Sequence, residues 1–128
     1  MIYTCYFSGL GDRCGRAVSI CYQQPARFNL PIAEELCPPL GMYYKFRSGK
    51  MSPHKFEQLY IMRFGVLDPE EIAARYDGRI LTSWEGYEDR KHMVLSFSHR
   101  HLIAEWLRNN GILVMELPPA PKRVRVGF

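Results

Sequence analysis

No apolar run in the chain approaches the roughly 20 residues needed to span a bilayer. The start, Met1-Ile2-Tyr3-Thr4-Cys5, lacks the basic opening and apolar core of a signal peptide. Together these absences set the expectation of a cytoplasmic protein with no membrane partner. Zinc-ligand spacings are missing as well. There is no C-x-x-C and no His-x-x-x-His, so Cys5, Cys14, Cys21 and Cys37 are expected as free thiols. Cys5 and Cys21 fall inside predicted strands, where a cysteine acts as a small buried hydrophobe, while Cys14 and Cys37 fall in loops. No internal repeat is visible, and 128 residues leave no room for a second domain.

What is present is the material of a folded core. Apolar residues make up 47% of the chain and aromatics 13%, which excludes a disordered chain. The net charge of +4 leans towards polyanionic partners. Much of the excess is local, with Lys122, Arg123 and Arg125 near the end and Lys45, Arg47 and Lys50 in the middle, and a solvated face accounts for each equally well.

The order of elements follows from local signals. Ile2-Tyr3-Thr4-Cys5-Tyr6-Phe7 and Ala17-Val18-Ser19-Ile20-Cys21-Tyr22 are rich in β-branched and aromatic residues and read as strands. The link between them, Gly9 to Arg16, holds at most a short helical turn. From Gln23 to Gly49 the prolines Pro25, Pro31, Pro38 and Pro39 predict an irregular stretch with a short helix around Ile32 to Leu36. Ser52-Pro53 and Asp68-Pro69 are cap-plus-proline signals that open two helices, the first running to Gly65 and the second to Asp77-Gly78. A third strand is predicted over 79 to 84. An almost wholly apolar run, Ile112-Leu113-Val114-Met115-Glu116-Leu117, has the pattern of a central or parallel strand. Pro118-Pro119-Ala120-Pro121 ends the sheet before a basic tail, 122 to 128. The fold class expected is α/β, a single layered, Rossmann-like domain over 1 to 117, with about four mostly parallel strands and helices packed on them.

Residues 79 to 110 organise the rest. Ser98 is suited to cap a helix over 99 to 109, in which Leu102, Ile103, Trp106 and Leu107 share one face with Trp106 as a core anchor, and Asn109-Asn110-Gly111 stops it. His99, Arg100 and His101 crowd the first turn, where the helix dipole favours anions and opposes cations. A helix start just past a strand end is also where open α/β proteins place ligands.

The segments Ile2 to Phe7, Ser19-Ile20, Leu36-Cys37-Pro38 and above all His99-Arg100-His101-Leu102-Ile103-Ala104-Glu105-Trp106-Leu107 resemble the YeaO-like proteins, a bacterial, archaeal and phage family described as domain of unknown function four-eight-eight. The resemblance runs over about residues 2 to 117. It implies an α/β fold and a site without naming a reaction. In that family the third strand ends in a cysteine followed by an aromatic residue and glutamate, and a second cysteine precedes the His-Arg pair. Here Ser83 or Thr82 stands at the first place, followed by Trp84 and Glu85, and Ser98 stands at the second. The chain is therefore identified as a divergent, phage-type member without the family's thiol pair. Glu85, His99, Arg100, His101 and Glu105 carry over.

Two functions are expected from different classes. In the first, Arg100 clamps a phosphate-bearing ligand at the start of the 99 to 109 helix, and Glu85 at the strand tip holds a ribose or amine. Ser83, Tyr22 and Arg27 complete the ligand-binding set, and no particular cofactor is indicated. In a catalytic version His99 or His101 is the acid or base and Ser98 the group it activates. The structural alternative has Ser98 capping, His101 pairing with Glu105, and Arg100 laying its stem over the sheet. The second function is a non-enzymatic module that grips nucleic acid or protein through Arg27-Phe28, Tyr43-Tyr44-Lys45-Phe46-Arg47 and the basic tail. A metal site from Glu85, His92, His99 and His101 is disfavoured, because histidines two apart on a helix point to different sides.

Overall fold

The computed structural model describes residues 1–84, 87–89, 94–95 and 98–121. β1 (Ile2–Tyr6) is followed by 3-10 turns over Phe7–Gly9 and Gly11–Arg16, as the short link predicts, and then by β2 (Ala17–Ser19). β2 stops short of Tyr22 because the Ser19 hydroxyl accepts from the Cys21 N–H at 3.0 Å and donates to the Cys21 carbonyl at 2.7 Å. That local turn takes the backbone out of the ladder.

The stretch expected to be irregular contains a helix, α1 (Leu40–Arg47). The prolines did not prevent it, because Pro38 and Pro39 precede the first turn and Pro39 occupies the cap position, where no backbone N–H is required. α2 (Pro53–Arg63) begins as predicted, with the Ser52 hydroxyl accepting from the Lys55 N–H at 3.1 Å. α3 (Pro69–Arg75) is capped by Asp68, whose carboxylate accepts from the Glu70 N–H at 3.0 Å. After β3 (Ile80–Ser83), the polar segment holds two short antiparallel strands, β4 (Tyr87–Asp89) and β5 (Val94–Leu95). α4 (His99–Asn109) and β6 (Val114–Glu116) complete the chain of elements, with Gly111 at φ 81° turning the backbone between them. The tail from 122 to 128 lies outside the described residues.

The main sheet has the order β2-β3-β1-β6 and all its pairs are parallel. The protein is thus an α/β fold built on a four-stranded parallel sheet. β6 is parallel, as expected, but among the described residues it stands at the edge of the sheet, and Leu113, beside it, is 69% exposed. One face of the sheet carries the helices. Phe56, Tyr60, Phe64, Ile72, Ile103 and Leu107 form a single core with Ile2, Val18 and Leu81. The opposite face is thinner, with Cys5, Ala17 and Ile80 meeting Phe7, Leu10 and Leu30 from the connecting segments. Trp106 is a half-buried lid on the first core, stacked on Phe64 at 4.9 Å, rather than a fully buried anchor. Among the described residues no helix is long and apolar enough to cross a membrane.

This arrangement leaves a crevice. The connection leaving β1 covers the thin face and α4, which leaves β3, covers the helical face, so two neighbouring strands send their chains to opposite sides. Ligands of open parallel sheets bind outside the carboxyl ends of strands at such a divergence.

Candidate functional site

The crevice between the ends of β1 and β3 is occupied by Arg100, whose side chain is fully buried. The guanidinium reaches across the end of β1 and makes a bidentate pair with Glu116 on β6. Nε donates to Oε1 and Nη2 to Oε2, both at 2.9 Å. Nη1 donates to the Ser83 hydroxyl at 2.9 Å, and the group lies 5.8 Å from the Tyr6 ring centroid. Thr4 donates its hydroxyl to Glu116 Oε1 at 2.7 Å. The hydroxyls of Ser83 and Ser98 are 2.7 Å apart, and Ser98 also accepts from the Arg100 N–H, which is its cap bond.

A cation opposing the helix dipole is therefore held by a carboxylate of the chain itself, through the fork geometry that makes Arg–carboxylate pairs strong. The sequence pointed to an anion clamp at Arg100 that contributes little to folding; in the structure the guanidinium is already bonded to Glu116 and Ser83. Glu116 was missed, although a signal was present. A lone carboxylate in an otherwise apolar strand needs a buried cation, and Arg100 supplies it.

His99 is buried in the next layer. Its Nε2 lies 2.9 Å from the Ile20 carbonyl oxygen and 3.7 Å from Cys21 Sγ. Tyr43, Phe56 and Tyr60 meet the imidazole edge to face, with centroids 5.7, 6.4 and 5.5 Å away. The nucleophilic atom placed against His99 is thus the sulfur of Cys21, whereas the Ser98 hydroxyl serves the cap and Ser83. His101 turns towards Glu116, with Nε2 at 4.0 Å from Oε1, while Glu105, its expected partner one turn on, is exposed. Burial pushes the Tyr60 phenol well up, and its O–H donates to the Leu36 carbonyl.

The accessible surface of the region lies beside this network. Trp84, at the tip of β3, is 39% exposed and donates its indole N–H to the Gln23 carbonyl at 2.8 Å. It lines a notch of about 190 Å³ with Gln23, Tyr43, Tyr44 and Arg47. On the other side the Trp84 ring meets Phe7 at 5.7 Å, and Phe7 meets Phe28 at 5.3 Å. The Arg27 guanidinium lies over Phe28 at 5.4 Å. Phe7, Arg27, Phe28 and Asn29 line a second pocket of about 730 Å³ with Gly11 and Cys14. Tyr22 is exposed at the rim of a small hollow beside the notch.

The structure therefore joins Ser83, Ser98 and Arg100 in one buried network, sets His99 apart with Cys21, and leaves Arg27 and Tyr22 on the surface. Glu85 and His92 lie outside the described residues. Trp84, which the sequence pattern reads as the end of a buried strand, is instead partly exposed beside the notch. Among the described residues no three His, Cys, Asp or Glu side chains gather where they could hold a metal ion. Compared with protein-family models, curated proteins and solved structures, the chain matches none.

Proposed function

We propose that the protein binds a phosphate-bearing ligand with an accessible base, a nucleotide or a single strand of nucleic acid, on the surface that runs from Arg27 to Arg47. The observation that carries this reading is the unbroken series of ring contacts, Arg27 to Phe28 to Phe7 to Trp84, continued across the notch by Tyr44 and Arg47. Phe7 is buried and braces the series from beneath, while Trp84 and Tyr44 are the exposed rings that stack bases, at about 1–3 kcal/mol per base, and the arginines at both ends neutralise phosphates. The larger pocket, about 730 Å³, is within the size range of small-molecule sites. Arg100 keeps a supporting role in this reading, because its bonds to Ser83 and Glu116 hold the strand end from which Trp84 projects. Membership of the YeaO-like family is part of the proposal. The contact of Ser83 with Ser98 at 2.7 Å supports it, since the two positions at which that family carries cysteines would then be neighbours in space.

The test is fluorescence anisotropy with a labelled single-stranded oligonucleotide, with duplex, nucleoside triphosphate and inorganic phosphate as competitors. Single strands should bind and duplex should compete poorly. Trp84→Ala should cost about 1–3 kcal/mol of binding. Arg27→Ala should lower the dependence of log affinity on log salt by about 0.7. Binding that survives both substitutions unchanged, or no binding by any of these probes, would overturn the reading.

A further inference from the structure

The turn that ends β2 aims the Cys21 sulfur at the first turn of α4, where it meets His99 Nε2 at 3.7 Å. We propose that Cys21 and His99 form a thiol–imidazole pair and that Cys21 is the oxidation site of this chain, reacting with small hydroperoxides. The pair lies beneath the ligand surface and does not depend on it.

The protonation of His99 follows from its second partner. Nε2 is 2.9 Å from the Ile20 carbonyl oxygen, and an acceptor cannot face another acceptor at that distance, so Nε2 carries its proton. The sulfur lies 3.7 Å from the same nitrogen, so this one N–H is shared between the carbonyl and, more weakly, the sulfur. A donor aimed at a cysteine favours the thiolate, which is the reactive form. The aromatic edges of Tyr43 from α1 and of Phe56 and Tyr60 from α2 hold the imidazole in this orientation.

Other thiols face the opposite chemistry. The S–H of Cys37 donates to the Ala33 carbonyl at 3.4 Å, and burial pushes that thiol up to about 12. Cys14 donates to the Gly11 carbonyl at 3.5 Å. Burial raises Cys5, with Glu116 adding to the effect. Burial thus favours the protonated sulfur at Cys5 and Cys37, whereas Cys21, although also buried, is placed against an imidazole N–H.

Access is narrow and selective. A hollow of about 10 Å³ lies among Cys21, Tyr22, Gln23, Pro38, Leu40 and Tyr43, room for a molecule near the size of water. A hydroperoxide of minimal size is the class of reagent that suits it. The thiol loses its proton to water and the thiolate attacks one peroxide oxygen. The S–O bond forms as the O–O bond breaks, and the hydroxide that leaves takes up the proton that the thiol gave to water. Sulfur is oxidised to the sulfenic acid and hydrogen peroxide is reduced to water.

The full-length protein, treated with hydrogen peroxide and then dimedone, is digested and mapped at all four cysteines. Cys21 should be labelled first, about tenfold faster than Cys14, although Cys14 is the more exposed. His99→Leu removes the N–H and should bring Cys21 down to the rate of Cys14 or below, while His99→Gln, which keeps a donor, should recover part of the difference. Labelling of Cys14 ahead of Cys21 in the wild-type protein overturns the proposal whether or not the variants fold. Labelling of Cys21 in His99→Leu at the wild-type rate overturns it as well.

Discussion

Arg100 shows how one residue can be read in two ways until its partner is known. At a helix start its charge costs stability, yet the bidentate bond to Glu116, the bond to Ser83 and the bond from Thr4 to the same carboxylate make it a link between β3, β1 and β6. Arg100→Ala leaves the half-buried Glu116 without its cation and should cost about 3–5 kcal/mol in urea denaturation. Replacing both partners, Arg100→Met with Glu116→Leu, should cost much less, because no charge is then stranded. A single variant as mild as the double would mean that the pair contributes nothing. A second carboxylate gives a pH dependence. Burial works against the Glu35 carboxylate, but hydrogen bonds from Tyr76 and Arg75 outweigh it and hold the carboxyl below its ordinary value of 4.5. The unfolded chain thus binds a proton at Glu35 more readily than the folded one. The stability that Glu35 contributes is present above its ordinary range and lost as the pH falls through the lowered value. The difference in urea midpoint between wild type and Glu35→Gln should therefore shrink between about pH 6 and pH 3. A difference that stays constant would place the bonding energy elsewhere.

Among the elements, the two serine caps can be compared directly. Ser52 caps α2 at an exposed position and its hydroxyl serves Lys55 N–H, so Ser52→Ala should cost about 1 kcal/mol. Ser98 caps α4 while touching Ser83, which itself holds Arg100. Its loss removes a cap and disturbs a buried polar network. Ser98→Ala should lower the thermal midpoint clearly more than Ser52→Ala, and equal shifts would show that the network adds nothing beyond the cap. α1 makes a related point about packing. It is short and has no side-chain cap bond, yet Phe46 stacks on Phe56 at 4.6 Å and Tyr43 meets His99, so a helix that local signals would not nominate is held by its neighbour.

At the scale of the whole molecule, the sheet order sets where stability should concentrate. Among the described residues β1 and β3 pair with a strand on both sides, whereas β6 pairs on one and the outer edge of β2 carries only the bridge from Ser19 to Ile32. Native-state hydrogen exchange should find the slowest amides in β1 and β3, and faster ones in β6, next to the exposed Leu113. Equal protection in β6 and β1 would mean that the edge of β6 left unpaired among the described residues is covered in solution. The same order places the crevice, because β3 reaches β6 by passing α4 over β1, and that crossing brings Arg100 to Glu116 and His99 to the end of β2.

What the sequence by itself determined were the features set by a few adjacent residues. The Ser98 cap and the His99–Asn109 helix, the Ser52-Pro53 and Asp68-Pro69 starts, the strands beginning at Ile2 and Ile80 and the parallel α/β class all follow from side chains acting on their own backbone or from a short periodicity. The tertiary structure decided the rest. α1 depends on contacts with α2, and the edge position of β6 depends on which strand inserts between its neighbours. The partners of the central residues also lie far away in the chain, with Glu116 sixteen residues from Arg100 and Cys21 seventy-eight from His99. A histidine or arginine at a helix start carries the same local signal whether it faces solvent, a ligand or a buried carboxylate. Only the crossing of α4 over the sheet chose between them, because it alone sets which distant side chains come within bonding distance.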